Sequence, residues 1–87
     1  MWTIIAGKPV RRKLEQIPNP EKEIIKQALL KLENNPEILD IKPMANGNDY
    51  RLRDGKWRLI FGINYEDNVI FIRALDSRGD IYKNKNL

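Results

Sequence analysis

The strongest constraint on this chain is a strict alternation of residue types between positions 50 and 65. Tyr50 and Leu52 alternate with Arg51 and Arg53, and Trp57, Leu59, Phe61, Ile63 and Tyr65 keep a period of two after Asp54-Gly55. Side chains of a strand point to opposite faces in turn, so this spacing describes strands with one apolar and one polar face. Asp-Gly between two such runs is a hairpin turn signal. Glu66-Asp67-Asn68 then turns the chain into a third strand over Val69 to Leu75. Three antiparallel strands joined by two short turns form a meander. Such a sheet is too small to be stable bare, so something has to cover one face.

The cover comes from the first third of the chain. Trp2-Thr3-Ile4-Ile5-Ala6, ended by Gly7, reads as a short strand. Val10, Leu14 and Ile17 lie at i, i+4 and i+7, one stripe of a short helix that Pro18 stops. A second helix starts with Asn19 as cap, Pro20 at the first helical position, and Glu21 and Glu23 against the positive end of the dipole. Ile24, Ile25, Ala28, Leu29 and Leu32 form its apolar face, and Asn34-Asn35-Pro36 ends it. Glu37 to Asn48 reads as a loop, with a short extended piece at Ile38 to Ile41. The expected fold is α+β: an N-terminal strand and an α-helical hairpin packed on an antiparallel β-meander, one domain over residues 1–87.

Composition narrows the chemistry. With no cysteine and no histidine in 87 residues, a disulfide scaffold, a thiol nucleophile, a Ser-His triad and the usual zinc sites are excluded. Sixteen Lys+Arg against twelve Asp+Glu leave a net charge of +4, a mild pull towards polyanions. No stretch approaches the length of a membrane span, and the N-terminus turns basic after its apolar residues, the reverse of a secretory signal. An intracellular protein is the simplest reading.

The second face of the sheet is the informative one. If Trp57, Leu59, Phe61 and Ile63 face the helices, Lys56, Arg58, Ile60 and Gly62 face away, joined by Arg51 and Arg53 from the neighbouring strand. Arginines placed side by side repel unless an anion sits among them. Two readings follow: a solvated basic surface partly neutralised by Asp49 and Asp54, or a phosphate-binding surface. Five of the seven arginines lie in the last 37 residues, and the planar guanidinium grips phosphate with two parallel bonds. Ile60 and Ile70 are expected to remain unburied there, which suits an acidic, amphipathic partner segment that folds on binding. Trp2 and Trp57 are assigned to the core, and the role of Arg73 is open. Ile81 and Tyr82 either clasp the core or bring Tyr82 to the arginines.

Tyr50-Arg51-Leu52-Arg53-Asp54-Gly55-Lys56-Trp57-Arg58-Leu59-Ile60-Phe61 resembles the YRLRxGxYRxxY segment of the RelE/ParE superfamily of toxins, and Ser77-Arg78-Gly79-Asp80-Ile81-Tyr82 is similar to that family's closing HRxxxY. Element order and length match as well. The resemblance implies a growth-inhibiting toxin of a type II toxin–antitoxin system, held in check by a cognate acidic antitoxin. RelE-like members are ribosome-dependent mRNA endoribonucleases, cytoplasmic and free of metal or other cofactors; ParE-like members poison DNA gyrase instead. A basic nucleic-acid-binding module without toxicity is the third possibility.

Carried onto this chain, the resemblance makes Arg58, Arg78 and Tyr82 the catalytic residues and Arg51, Arg53 and Lys56 the RNA-binding ones. Two departures stand out. Ser77 replaces the histidine frequent before the late arginine, and Asp76 stands where RelE-like enzymes are basic. In RNA the neighbouring 2′-hydroxyl is the nucleophile, so the protein supplies position, charge neutralisation and proton transfer. Arg58 and Arg78 would stabilise the phosphorane, and Tyr82 could act as base where nearby cations depress its pKa.

Overall fold

The computed structural model describes residues 2–45 and 47–77. Strand β1 (Thr3–Ala6) is followed by helices α1 (Lys8–Gln16) and α2 (Glu21–Asn34), a single 3-10 turn at Pro36–Ile38, and strands β2 (Asp40–Pro43), β3 (Asp49–Asp54), β4 (Trp57–Asn64) and β5 (Val69–Ser77). The strands form one sheet in the order β1-β5-β4-β3-β2. The meander β3-β4-β5 is present, and two further strands extend it. β1 pairs parallel with β5, Thr3 opposite Val69 through Ala6 opposite Ile72, so the sheet is mixed.

The segment read as a loop contains β2. Ile41 lies opposite Leu52 on the apolar side, while Asp40 and Lys42 lie opposite Arg53 and Arg51. One apolar residue between two charged ones is too short a period to stand out in sequence. The β3–β4 turn places Gly55 at φ +60 as the first of two central residues, the position that a II′ turn reserves for glycine.

α1 ends where expected, with Ile17 as its last cap before Pro18. α2 begins one residue later than anticipated: Pro20 is the cap, and no side chain caps this helix. The Asn19 cap is therefore replaced by backbone bonds, with the Lys22 amide donating to the Pro18 carbonyl at 3.1 Å. Ile24, assigned to the apolar face, is exposed; Ile25, Ala28 and Leu32 are the buried set, spaced three and four apart.

These residues, with Val10 and Ile17 of α1, pack on Leu52, Trp57, Leu59, Phe61, Ile70, Ile72 and Leu75 of the sheet. Trp57 is buried in this core and Trp2 packs partly buried against it. Each fully buried side chain of this size contributes about 1.5–3 kcal/mol. The Trp2 amide donates to the Glu33 carbonyl at 3.1 Å, tying the start of β1 to the end of α2.

β5 does not keep a strict period of two, and a bulge explains how. Ile60 pairs with Ala74 but Phe61 pairs with Ile72, leaving Arg73 as the extra residue. The shift lets Ile70, Ile72 and Leu75 all face the helices. It also defines Arg73, whose guanidinium lies across β4 to bind Asp49 on β3, Nε to Oδ1 at 2.8 Å. Gly62 makes the crossing possible, since a Cβ there would stand 2.8 Å from Nη2 of Arg73. Gly62→Val should displace the guanidinium and cost about as much as Arg73→Ala, near the 0.2–1 kcal/mol of such ion pairs. Thermal melts of both variants and of the double variant check this, the double being no worse than either alone.

Candidate nucleic-acid interface

The face of the sheet turned away from the helices is organised in cross-strand rows. The first row reads Asp40, Arg53, Arg58, Asp76 across β2 to β5. The second reads Lys42, Arg51, Ile60, Ala74. The third reads Asp49, Gly62, Phe71, Ile5, crossed by Arg73. Arg51, Arg53 and Arg58 thus do share this face, as the alternation requires.

Their environments differ. Arg53 is exposed and its Nε lies 3.2 Å from Asp40 Oδ2. Arg51 is half-buried in the second row. Arg58 is only 7% exposed, so it does not belong to a solvent-facing trio. Its Nη1 folds back on the hairpin and donates to the Gly55 carbonyl at 2.6 Å and the Trp57 carbonyl at 2.9 Å. This guanidinium closes the β3–β4 turn, and at least that nitrogen is committed to backbone.

Lys56 departs from the expected face altogether. It sits in the turn and reaches the helix layer, Nζ to Glu21 Oε1 at 2.9 Å, with its ammonium 5.5 Å from the Trp57 ring centre. The Trp57 indole N–H donates to the other oxygen of Glu21. One carboxylate at the start of α2 therefore anchors both residues after Gly55, and the turn's tight geometry directs Lys56 towards it. Asp54, the other neutralising acid expected, is paired opposite Trp57 in register rather than placed among the arginines. Asp49 does serve the face, through Arg73.

Asp76 lies opposite Arg58 in register but spends its carboxylate on Lys13 of α1, Nζ to Oδ2 at 2.7 Å. The apolar expectation also changes. Ile70 faces the helices and is buried in the main core, while Ile60 is on the open face but 2% exposed, packed with Ala74 and Met44. The exposed apolar groups of this face are Phe71 and Ile5, beside a cavity of about 550 Å³ that Arg73 and Asp49 also line. Arg78 and Tyr82 lie outside the described residues.

Two basic members of the face were not expected there. Lys42 stands directly opposite Arg51, and its signal was the brief alternation Asp40-Ile41-Lys42. Arg73 was visible in the sequence only as a charge inside an apolar strand; its reach depends on the bulge. Among the described residues, no group of three or more Asp and Glu is placed to hold a metal ion, and no helix is long and apolar enough to cross a membrane.

A single layer of two helices on a mixed sheet, with arginines gathered on the uncovered face, defines a small basic α+β module. No protein-family model matches the chain. A protein carrying the name toxin RelE1 from Methanocaldococcus jannaschii is 32% identical over 81 residues, spanning 88% of this chain and 90% of that protein. The chain belongs to the RelE toxin family. A chain of the archaeal RelE–RelB complex from Pyrococcus horikoshii OT3 matches the fold with a TM-score of 0.76 and 28% identity, over 91% of this chain and 97% of that one. In the RelB–RelE antitoxin–toxin complex from Methanococcus jannaschii the TM-score is 0.72 at 26% identity, covering 92% and 96%. The isolated E. coli RelE toxin, at 16% identity, TM-score 0.70 and coverage of 95% and 93%, shares the fold.

The Glu21 anchor makes a pH prediction. The Lys56 ammonium, bonded to the carboxylate, holds the Glu21 pKa below its ordinary value of 4.5, with the Trp57 N–H adding to the effect. A depressed carboxyl stabilises the fold above its ordinary pKa, and that contribution is lost as the pH falls through the folded value. Glu21→Gln should therefore flatten the acid limb of stability below about pH 4.5 and leave the limb near neutrality parallel to wild type, as read from melting temperatures across the range.

Proposed function

We propose that this chain is the toxin of a type II toxin–antitoxin pair and cuts messenger RNA in the ribosomal A site, in the cytoplasm and without a metal. The observation that supports this reading is the concentration of Arg51, Arg53 and Arg58, with Lys42 and Arg73, on the one sheet face that the helices leave open in a chain of the RelE toxin family. A surface of this kind neutralises a phosphodiester backbone and stabilises the extra negative charge of a phosphorane.

The attacking 2′-hydroxyl belongs to the RNA, so the protein needs no nucleophile of its own. Arg53 and Arg51 offer side chains towards the substrate, while Arg58, bonded to two carbonyls of the turn, has its guanidinium held in place before substrate arrives. Such preorganisation suits a group whose task is charge stabilisation. Arg78 and Tyr82 follow β5 directly in the chain, and Tyr82 supplies the proton transfer in this reading. The RelE chains from Pyrococcus horikoshii and Methanococcus jannaschii were crystallised in complex with RelB antitoxins, which supports a cognate acidic antitoxin as partner here.

A second reading, a gyrase-directed toxin, draws on Ser77 and Asp76 in place of basic residues and on the burial of Arg58. One experiment separates them. After induction in cells, primer extension should show codon-phased transcript ends. An Arg51→Ala/Arg53→Ala variant should cut about 10²–10³-fold more slowly, and Tyr82→Phe should abolish growth arrest without changing the melting temperature. Growth arrest with DNA breaks and intact transcripts would establish the gyrase reading instead.

A further inference from the structure

Strand cleavage by the neighbouring 2′-hydroxyl needs two proton transfers, one from that hydroxyl and one to the departing 5′-oxygen. The chain has no histidine for either. At neutral pH a phenol is protonated and suited to give a proton, whereas a carboxylate is ionised and suited to take one. Among the described residues the rows of the open face hold three carboxylates, Asp40, Asp49 and Asp76. Asp40 is bonded to Arg53 and Asp49 to Arg73, both cations of the face itself. Asp76 is held differently, by Lys13 of α1, which comes from outside the rows.

We propose that Asp76 is the general base of the cleavage and that Lys13 is the residue that positions it. The inference rests on the ribonuclease reading and adds to it the group that activates the nucleophile. Asp76 stands directly opposite Arg58 on the neighbouring strand, so the two share a face with Cα atoms about 5 Å apart. Arg58 is fixed on the Gly55 and Trp57 carbonyls. A preorganised cation for the phosphorane and a carboxylate for the 2′-hydroxyl are therefore neighbours. The carboxylate is oriented at both oxygens: Oδ2 accepts from Lys13 Nζ at 2.7 Å and Oδ1 from the Ser77 amide at 2.9 Å. A carboxylate has about four acceptor positions, so those two bonds leave capacity for the hydroxyl. The Asp76 side chain is 26% exposed, within reach of a bound strand. In the step, Asp76 takes the 2′ proton as the 2′-oxygen forms its bond to phosphorus. The bond from phosphorus to the 5′-oxygen breaks, and Tyr82 gives that oxygen a proton. The products are a 2′,3′-cyclic phosphate and a 5′-hydroxyl, and solvent restores both side chains.

The test is single-turnover cleavage of messenger RNA on ribosomes by wild type, Asp76→Asn and Lys13→Met, with the melting temperature of each toxin. Both variants remove the same ion pair, so a purely structural Asp76 predicts equal losses. As the base, Asp76→Asn should cut about 10²–10⁴-fold more slowly. Lys13→Met should lose less than about tenfold, and Lys13→Arg should restore that loss. A substrate with sulfur in place of the 5′-bridging oxygen has a leaving group that needs no proton. On it Tyr82→Phe should regain its rate while Asp76→Asn stays slow. Should Asp76→Asn not fold, Asp76→Glu keeps the charge but shifts the base, and should lose on the order of 10²-fold at an unchanged melting temperature. Equal losses in Asp76→Asn and Lys13→Met, a fully active Asp76→Glu, or recovery of Asp76→Asn on the sulfur substrate would each overturn the assignment while the ribonuclease reading stands. No cleavage by wild type would overturn both.

Discussion

β4 is the strand on which the rest of the molecule depends, because it is buried on both sides by different means. Towards the helices, Trp57, Leu59 and Phe61 meet α1 and α2 in the main core. On the other side no second layer exists among the described residues, yet Arg58, Ile60 and Gly62 are also buried. Each is covered locally: Arg58 by its return to the turn carbonyls, Ile60 by Ala74 and Met44, Gly62 by the Arg73 guanidinium. Here cationic side chains laid flat on the sheet provide much of the cover.

That arrangement ties stability to function. Arginine has an apolar stem and a planar charged head, so it shields strand backbone while keeping a cation at the surface. Acids at the margins, Asp40, Asp49 and Asp76, hold selected cations in place. A face built this way is already ordered before any polyanion reaches it. In the function proposed above, this face meets an RNA backbone.

Much of this was legible in the residues. The alternation from Tyr50 to Tyr65 is a local property, and it correctly set Leu52, Leu59 and Phe61 against Arg51, Arg53 and Arg58. The helices were equally visible because Val10, Ile17, Ile25, Ala28 and Leu32 repeat at helical spacing. Lys56 and Ile70 were misplaced for a common reason. Each lies where the period of two breaks: Lys56 is in the turn itself, and Ile70 is separated from Ala74 and Leu75 by the bulge at Arg73, so one count cannot serve both ends of β5. β2 was anticipated only as an extended piece at Ile38 to Ile41, short of its real end at Pro43, because an edge strand with a single inward residue has almost no period to detect.

What the sequence alone determined was the binary pattern: which stretches are helix or strand, which side of each is apolar, and that arginine collects on the side left over. These follow from short-range spacing, which the covalent chain imposes directly. Only the tertiary structure decided how that leftover charge is distributed. Pairing register brought Lys42 opposite Arg51, carried Arg73 over Gly62 to Asp49, and drew Lys56 away to Glu21. Those partners are separated by 9 to 35 positions in sequence, and nothing local encodes which of several nearby acids a flexible cation will find.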